Sequence, residues 1–216
     1  MKSLRVPFEN VGLNESYLYK LETLLEVGVE AEIDQLNWGD QFPKRLPVTV
    51  RLAHDDEVLY LLFVVEGELL RAENIEDFGS VWEDSCVEFF MQREGSKEYR
   101  NFECNVLGAM LSKVQESKGT GVLQKDVMKS IYRHSSINHR YEGDKEVSDW
   151  HMYLEIPKHA MGFEEDERLS GRKIRGNFYK CGDNTPEPHF LSWSPIDSPT
   201  PNFHLPEFFG EIIFDE

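Results

Sequence analysis

The run Ser80-Val81-Trp82-Glu83-Asp84-Ser85-Cys86-Val87-Glu88-Phe89-Phe90 holds the residues best suited to chemistry. Trp82 stands in an acidic turn. Just beyond it, Val87, Phe89 and Met91 alternate with Glu88, the period-two pattern of a strand with one apolar face. A Trp ring at the mouth of a strand is a flat apolar platform, and Glu88, on the other phase, is a fixed hydrogen-bond acceptor. Pyranose rings need that pair. Their axial C–H faces lie against aromatic rings and their equatorial hydroxyls require polar partners.

Tyr99 to Val106 places Phe102, Cys104 and Val106 on one face and Asn101, Glu103 and Asn105 on the other. The Gly95-Ser96-Lys97 turn predicts an antiparallel pair with the preceding strand, which sets Glu88 beside Glu103 and Asn105. Two carboxyls on adjacent strands also fit the acid/base pair of a glycosidase, roughly 5 to 9.5 Å apart. A glycoside hydrolase using Glu88 and Glu103 is therefore the alternative function. No Gly-x-Ser-x-Gly, phosphate loop or dinucleotide fingerprint points to other chemistry.

The histidines, from His54 to His204, show no spacing for a catalytic zinc. His204 is expected to pack and hydrogen-bond. Asp55, Asp56, Asp77 and Asp84 are hard oxygen donors in turns, so structural calcium is allowed for, with no ligand assigned. No cofactor is required by the pattern. Cys86, Cys104 and Cys181 are odd in number and widely spaced, which predicts free buried thiols rather than a disulfide framework.

Short β-rich runs must position these groups. Val58 to Val65 is apolar on both phases, so it reads as a central strand covered on both sides. Glu26 to Ile33, Val48 to Leu52, Trp150 to Ile156, Lys173 to Cys181 and Phe209 to Phe214 complete the set, with Ile131 to Tyr141 as an edge strand and Gln115 to Gln124 as a loop. Arg175, Asn177 and Tyr179 share one face, and Asn177 is a cleft-lining candidate. Trp150 reads as core and Trp38 as turn packing. The fold class is all-β, a sandwich of two antiparallel sheets with short helical turns. The 216 residues read as one domain, with residues 1–25 as an N-terminal arm.

The net charge of -17 repels polyanions, so nucleic acid is not an expected partner. No apolar stretch approaches the roughly 20 residues of a membrane span. The N-terminus lacks a signal-peptide core, so a full-length chain would be cytoplasmic, and one whose leader had been removed would be extracytoplasmic.

Taken in order, Val58 to Glu66, Trp82-Glu83-Asp84-Ser85-Cys86-Val87-Glu88-Phe89, Arg175-Gly176-Asn177-Phe178-Tyr179, Ser192-Trp193-Ser194, Phe203-His204 and Phe209-Gly210 resemble the family-9 carbohydrate-binding modules. The likeness runs from about Arg51 to Phe214. It implies a jelly-roll-like sandwich that binds the ends of glucose- or xylose-type saccharides between two Trp rings, without catalysis. It also implies attachment to xylanases, a part in polysaccharide breakdown and, in several members, structural calcium. By this resemblance Trp82 is the first platform, Glu88 the carboxylate that grips hydroxyls and Trp193 the second platform. Arg100 or Asn105 would supply a further polar contact. The same broad group includes haem binders, which here would use Met91, Met110 or Met152 with a His. An interaction scaffold with a vestigial sugar cleft is the remaining alternative. The Ser117 to Tyr132 insertion and the Pro-rich stretch after Trp193 depart from the simplest modules.

Overall fold

β-branched and aromatic residues at alternate positions drive most of this chain into strands. A computed structural model describes every residue except 1, 10, 12–14, 117 and 118. In chain order the strands are β1 (Ser3–Val6), β2 (Val29–Glu32), β3 (Val48–His54), β4 (Val58–Glu68), β5 (Cys86–Arg93), β6 (Tyr99–Asn105), β7 (Met110–Glu116), β8 (Gly119–Val122), β9 (Tyr132–Glu142), β10 (Lys145–Pro157), β11 (Lys173–Cys181), β12 (Phe190–Ser192) and β13 (Gly210–Phe214). The helices are α1 (Tyr17–Val27) and α2 (Lys125–Lys129).

Two sheets face each other. The larger runs β1-β13-β11-β5-β6-β7-β8, with β12 also on β11, and the smaller runs β2-β3-β4-β10-β9. Pairing is antiparallel except between β1 and β13. This is the all-β sandwich that the alternation predicts. Val87, Phe89 and Met91 of β5 and Phe102 and Cys104 of β6 point into the shared core, where they meet Leu61 and Phe63 of β4 and Met152 and Leu154 of β10. Phe89 stacks on Phe178 with ring centroids 5.2 Å apart.

β4 is apolar on both phases for the reason its sequence suggests. One face joins the shared core. The other, with Tyr60 and Leu62, is covered by Leu24 of α1. That helix corrects the reading of residues 1–25 as an arm. Ser16 caps it, its Oγ accepting from the Tyr19 N–H at 3.3 Å, and β1 is a strand of the larger sheet. The strand expected over Glu26 to Ile33 starts only at Val29. The loop expected over Gln115 to Gln124 is corrected too: β7 extends to Glu116 and β8 pairs with it, while residues 117–118 of that stretch lie outside the described ones.

Cys86, Cys104 and Cys181 are buried free thiols. Trp150 and Trp38 are both buried, the first in the shared core and the second under the segments that roof the larger sheet. Among the described residues, no helix is long and apolar enough to cross a membrane.

Candidate functional site

Alternation gives the larger sheet a second, outward face. Cys86, Phe90, Leu111 and Tyr179 lie on it and pack under Ile196, Phe203 and Phe209 from the irregular segments that follow β12. On this face Glu88 of β5 sits directly between Glu103 of β6 and Tyr179 of β11. The register that the sequence predicts for Glu88 and Glu103 is thus present.

A cavity of about 280 Å³ opens here. Glu88 and Glu103 line it from the sheet, with Lys113 of β7 beside them, and Trp82 stands at its edge. Phe190 and the segment Pro201-Asn202-Phe203-His204 close the other side. Phe203 is held by a stack on Tyr179, centroids 4.1 Å apart and planes within 8°. His204 is an exposed wall residue whose Nδ1 pairs with the Tyr99 hydroxyl at 3.0 Å.

Trp82 is half-buried, on a single 3-10 turn, Val81–Glu83, whose Val81 is buried. The turn is latched from two directions. The Asp183 and Asn184 N–H groups donate to the Trp82 and Glu83 carbonyls at 3.2 and 3.1 Å. On the other flank the buried Asp84 carboxylate pairs with Arg71 and accepts from the N–H groups of Glu73 and Asn74 and from Asn105 Nδ2. The indole therefore stands on a fixed base.

The cavity floor is acidic and buried. Glu88 is 3% exposed and Glu103 4%. Cys181 Sγ donates to Glu88 Oε1 at 3.1 Å, and Asn101 Nδ2 donates to Glu103 Oε1 at 2.5 Å. Burial pushes Glu88 well above the usual carboxylate range, with the Cys181 thiol and Glu103 adding to it. Burial likewise raises Glu103 to about 7, against the pull of Asn101 and Lys113. Asp183, whose N–H holds the Trp82 carbonyl, rises to about 6, from burial first and then from Glu83.

The other expected contacts lie elsewhere. Trp193 is corrected from platform to core: it is 4% exposed and belongs to the interior cluster. Its ring lies 5.6 Å from that of Phe178 and so close to Gly210 that a Cβ there would come within 2.5 Å of it. Leu191 and Trp193 share the inward phase, so the outward ring from this strand is Phe190. Asn105 is saturated. Its Nδ2 donates to Asn74 O and Asp84, and its Oδ1 accepts from the Leu107 and Ala109 N–H groups, so it anchors the Trp82 turn rather than facing the cavity. Asn177 is likewise consumed. It donates to Ser194 O and accepts from the N–H groups of Phe178 and Ser194, which holds the roof segment in place. Arg100 occupies the opposite phase of β6 from Glu103, and its guanidinium donates to Ala160 O.

The four carboxylates considered for calcium do not converge. Asp55 accepts from backbone and the Tyr60 hydroxyl, Asp56 from the Ser170 N–H, Asp77 binds Arg133 and Asp84 binds Arg71. Among the described residues, the donor atoms that do cluster are those of Cys86, Glu88 and Cys181. No spacing in the sequence singled out Phe190, Lys113 or Pro201 to Asn202. Alternation from Leu191 to Trp193 is the signal that could have placed Phe190 outward.

A model of the family described as "Carbohydrate-binding family 9" matches residues 22–214. The chain is similar to a protein from Bacteroides uniformis ATCC 8492 that is provisionally described as carbohydrate-binding. The two are 35% identical over 99% of each chain, with a TM-score of 0.86. It also shares its fold with a family-9 carbohydrate-binding module from Caldicellulosiruptor kristjanssonii. Against that module's complex with cellotriose the identity is 12%, the coverage 99% and 94% and the TM-score 0.64. Against its complex with glucose they are 13%, 99% and 96%, and 0.62. No curated protein matches the chain.

Proposed function

This chain belongs to carbohydrate-binding family 9, and we propose that its outer-face cavity holds the end of a glucose- or xylose-type saccharide against Trp82. The observation that carries the reading is the half-exposed Trp82 beside a cavity whose floor is Glu88 and Glu103. About 280 Å³ lies at the small end of ligand sites, near 300 Å³, which suits a ring or two and not a long chain segment. Binding in the fold-sharing module from Caldicellulosiruptor, of cellotriose and of glucose, supports the same class of ligand. Since Trp193 is interior, the second apolar wall comes from Phe190 and Phe203.

The role is binding and not turnover. A glycosidase needs its carboxyls on either side of the scissile bond, one of them ionised. Here both sit side by side on one floor and both are pushed toward the neutral acid. A part in the breakdown of glucose- or xylose-based polysaccharides fits such a module.

Titration of Trp fluorescence with glucose, xylose and cellotriose tests this. The expected Kd is roughly 10 µM to 1 mM for at least one of them. Trp82→Ala should weaken that binding by about tenfold or more while the far-ultraviolet circular dichroism stays unchanged. Flat curves for all three sugars would sink the proposal.

A further inference from the structure

Four carboxylates are buried among the described residues: Glu68, Asp84, Glu88 and Glu103. Two have cations of their own. Lys180 Nζ lies 2.8 Å from Glu68, and Arg71 pairs with Asp84. The other two, which share the cavity floor, form no ion pair with any described Lys or Arg. Each spends one oxygen on a weak or neutral donor, the Cys181 thiol or the Asn101 amide. Among the described residues, the second oxygen of each takes no hydrogen bond, although both side chains line the cavity. Beside Glu103, the buried Asn101 Oδ1 also lacks a partner.

Taking a carboxyl out of water without a cation is costly, and proteins meet that cost by pairing or by neutralising the group. This fold does the first at Glu68 and Asp84 but not on the floor. The positive charge that lines the cavity is Lys113, whose Nζ sits 5.9 Å from the centre of the Trp82 ring and makes no ion pair among the described residues. A platform that already attracts an ammonium, beside two open carboxyls, has the composition of a site for a second ammonium.

We propose that the preferred ligand of this cavity is an amine-bearing saccharide, a 2-amino-2-deoxyhexose unit whose ammonium is held by Glu88 and Glu103. This rests on the saccharide reading above. The ring would lie on Trp82 and the ammonium would take the carboxyl oxygens that the protein leaves open. A charge-assisted bond is about twice as strong as a neutral one. Sugars bearing a carboxylate are disfavoured by the same floor.

Isothermal titration calorimetry of the full chain near pH 7, where Glu103 begins to ionise and the sugar amine still carries its proton, tests the idea with glucosamine, glucose, N-acetylglucosamine and glucuronate. Glucosamine should bind on the order of tenfold tighter than glucose, and glucuronate weakest. N-acetylglucosamine keeps the ring and the substituent position but removes the charge, so it should lose the advantage. Glu103→Gln should collapse the glucosamine-to-glucose affinity ratio, and Lys113→Met, which removes the competing ammonium, should enlarge it. Thermal unfolding of each variant verifies folding, and Glu88→Gln serves the same comparison if Glu103→Gln does not fold. Equal affinity for glucosamine and glucose, or for glucosamine and its N-acetyl form, overturns the amine assignment and leaves the saccharide reading standing. No heat with any of the four sugars overturns both.

Discussion

The two acidic pockets of this sandwich, one around Glu68 of β4 and one around Glu88 of β5, are built on strands of the two opposed sheets and finished in opposite ways. Glu68 lies between the sheets, where Lys180 of β11 reaches its Oε1 at 2.8 Å and Trp150 Nε1 donates to its Oε2 at 2.7 Å. Lys180 also donates to His189 Nε2 at 2.7 Å, while His189 Nδ1 donates to the Glu187 carbonyl. Burial and Lys180 together take the imidazole down to about 2, so it accepts the bond as a neutral ring. Every atom there has a partner. On the outer face of β5 and β6, the floor of the cavity has two carboxyls that no described cation pairs with. A closed network locks sheets together, and an open one is left for something that arrives from solution. Burial alone does not separate the two, since Glu68 and Glu88 are both almost wholly hidden. The count of partners does.

Removing one member of the closed network should have the largest effect on folding. Lys180→Met leaves Glu68 buried beside a single neutral donor, and such breaks cost roughly 3–5 kcal/mol. For a chain of this size the melting temperature should fall by about 6–20 °C, read by calorimetry. A change below a degree or two would mean that Glu68 is solvated or neutral and would dissolve the comparison.

The two rings that the family resemblance pairs make the next comparison. Trp193 packs on Phe178 inside the sandwich, and Trp82 stands half-exposed outside it. Trp193→Ala should cost about 3–5 kcal/mol through the cavity it leaves. Trp82→Ala should cost distinctly less in denaturant unfolding while carrying the loss of sugar binding. Reversed outcomes would exchange the roles given to the two rings.

These residues also show how far the chain could be read before its structure. The β5–β6 register was legible because a strand repeats every two residues and the Gly95 to Lys97 turn fixes the offset, so Glu88 and Glu103 could be set side by side. Trp193 was misplaced although the same rule was available: Leu191 and Trp193 share a phase, and Leu191 is core. The resemblance placed it outward, whereas the flanking serines close on themselves inside the fold, Ser192 Oγ donating to Ser194 O at 2.7 Å. Helix α1 had a capping Ser16 and apolar Tyr17, Leu21 and Leu24 along one side, a short signal lost among β-rich runs. Of the far wall, Phe190 was within reach through its phase opposite Leu191 and Trp193. Phe203 and His204 were not: they arrive there through tertiary packing on Tyr179 and Phe90, with no periodicity to announce it.

The smallest and most discriminating effect is the dependence of stability on pH at the open floor. Glu103 titrates at about 7 in the folded chain, above its ordinary 4.5, because burial disfavours the charged form. Below the ordinary value both folded and unfolded chains are protonated there and no penalty exists. Between those limits the unfolded chain ionises while the folded one does not, so stability falls as pH rises, and above about 7 the loss levels off. The full drop is on the order of 3 kcal/mol. Glu88, Cys181, Asp183, Tyr99 and Lys113 face the same group, so the titration belongs to the pair and its neighbours rather than to one residue. Urea unfolding of wild type and Glu103→Gln across this window isolates its share: the variant should show a shallower slope, the remainder coming from Glu88, while the surface carboxylates contribute equally to both. Saturating glucosamine gives the stronger test of the contrast with Glu68. An ammonium on the floor favours the ionised carboxyls, which lowers the folded-state value toward normal and flattens the wild-type slope. Glucose brings no charge and should shift the whole curve upward without flattening it. If both sugars act alike, the open pocket differs from the closed one in packing and not in the missing cation.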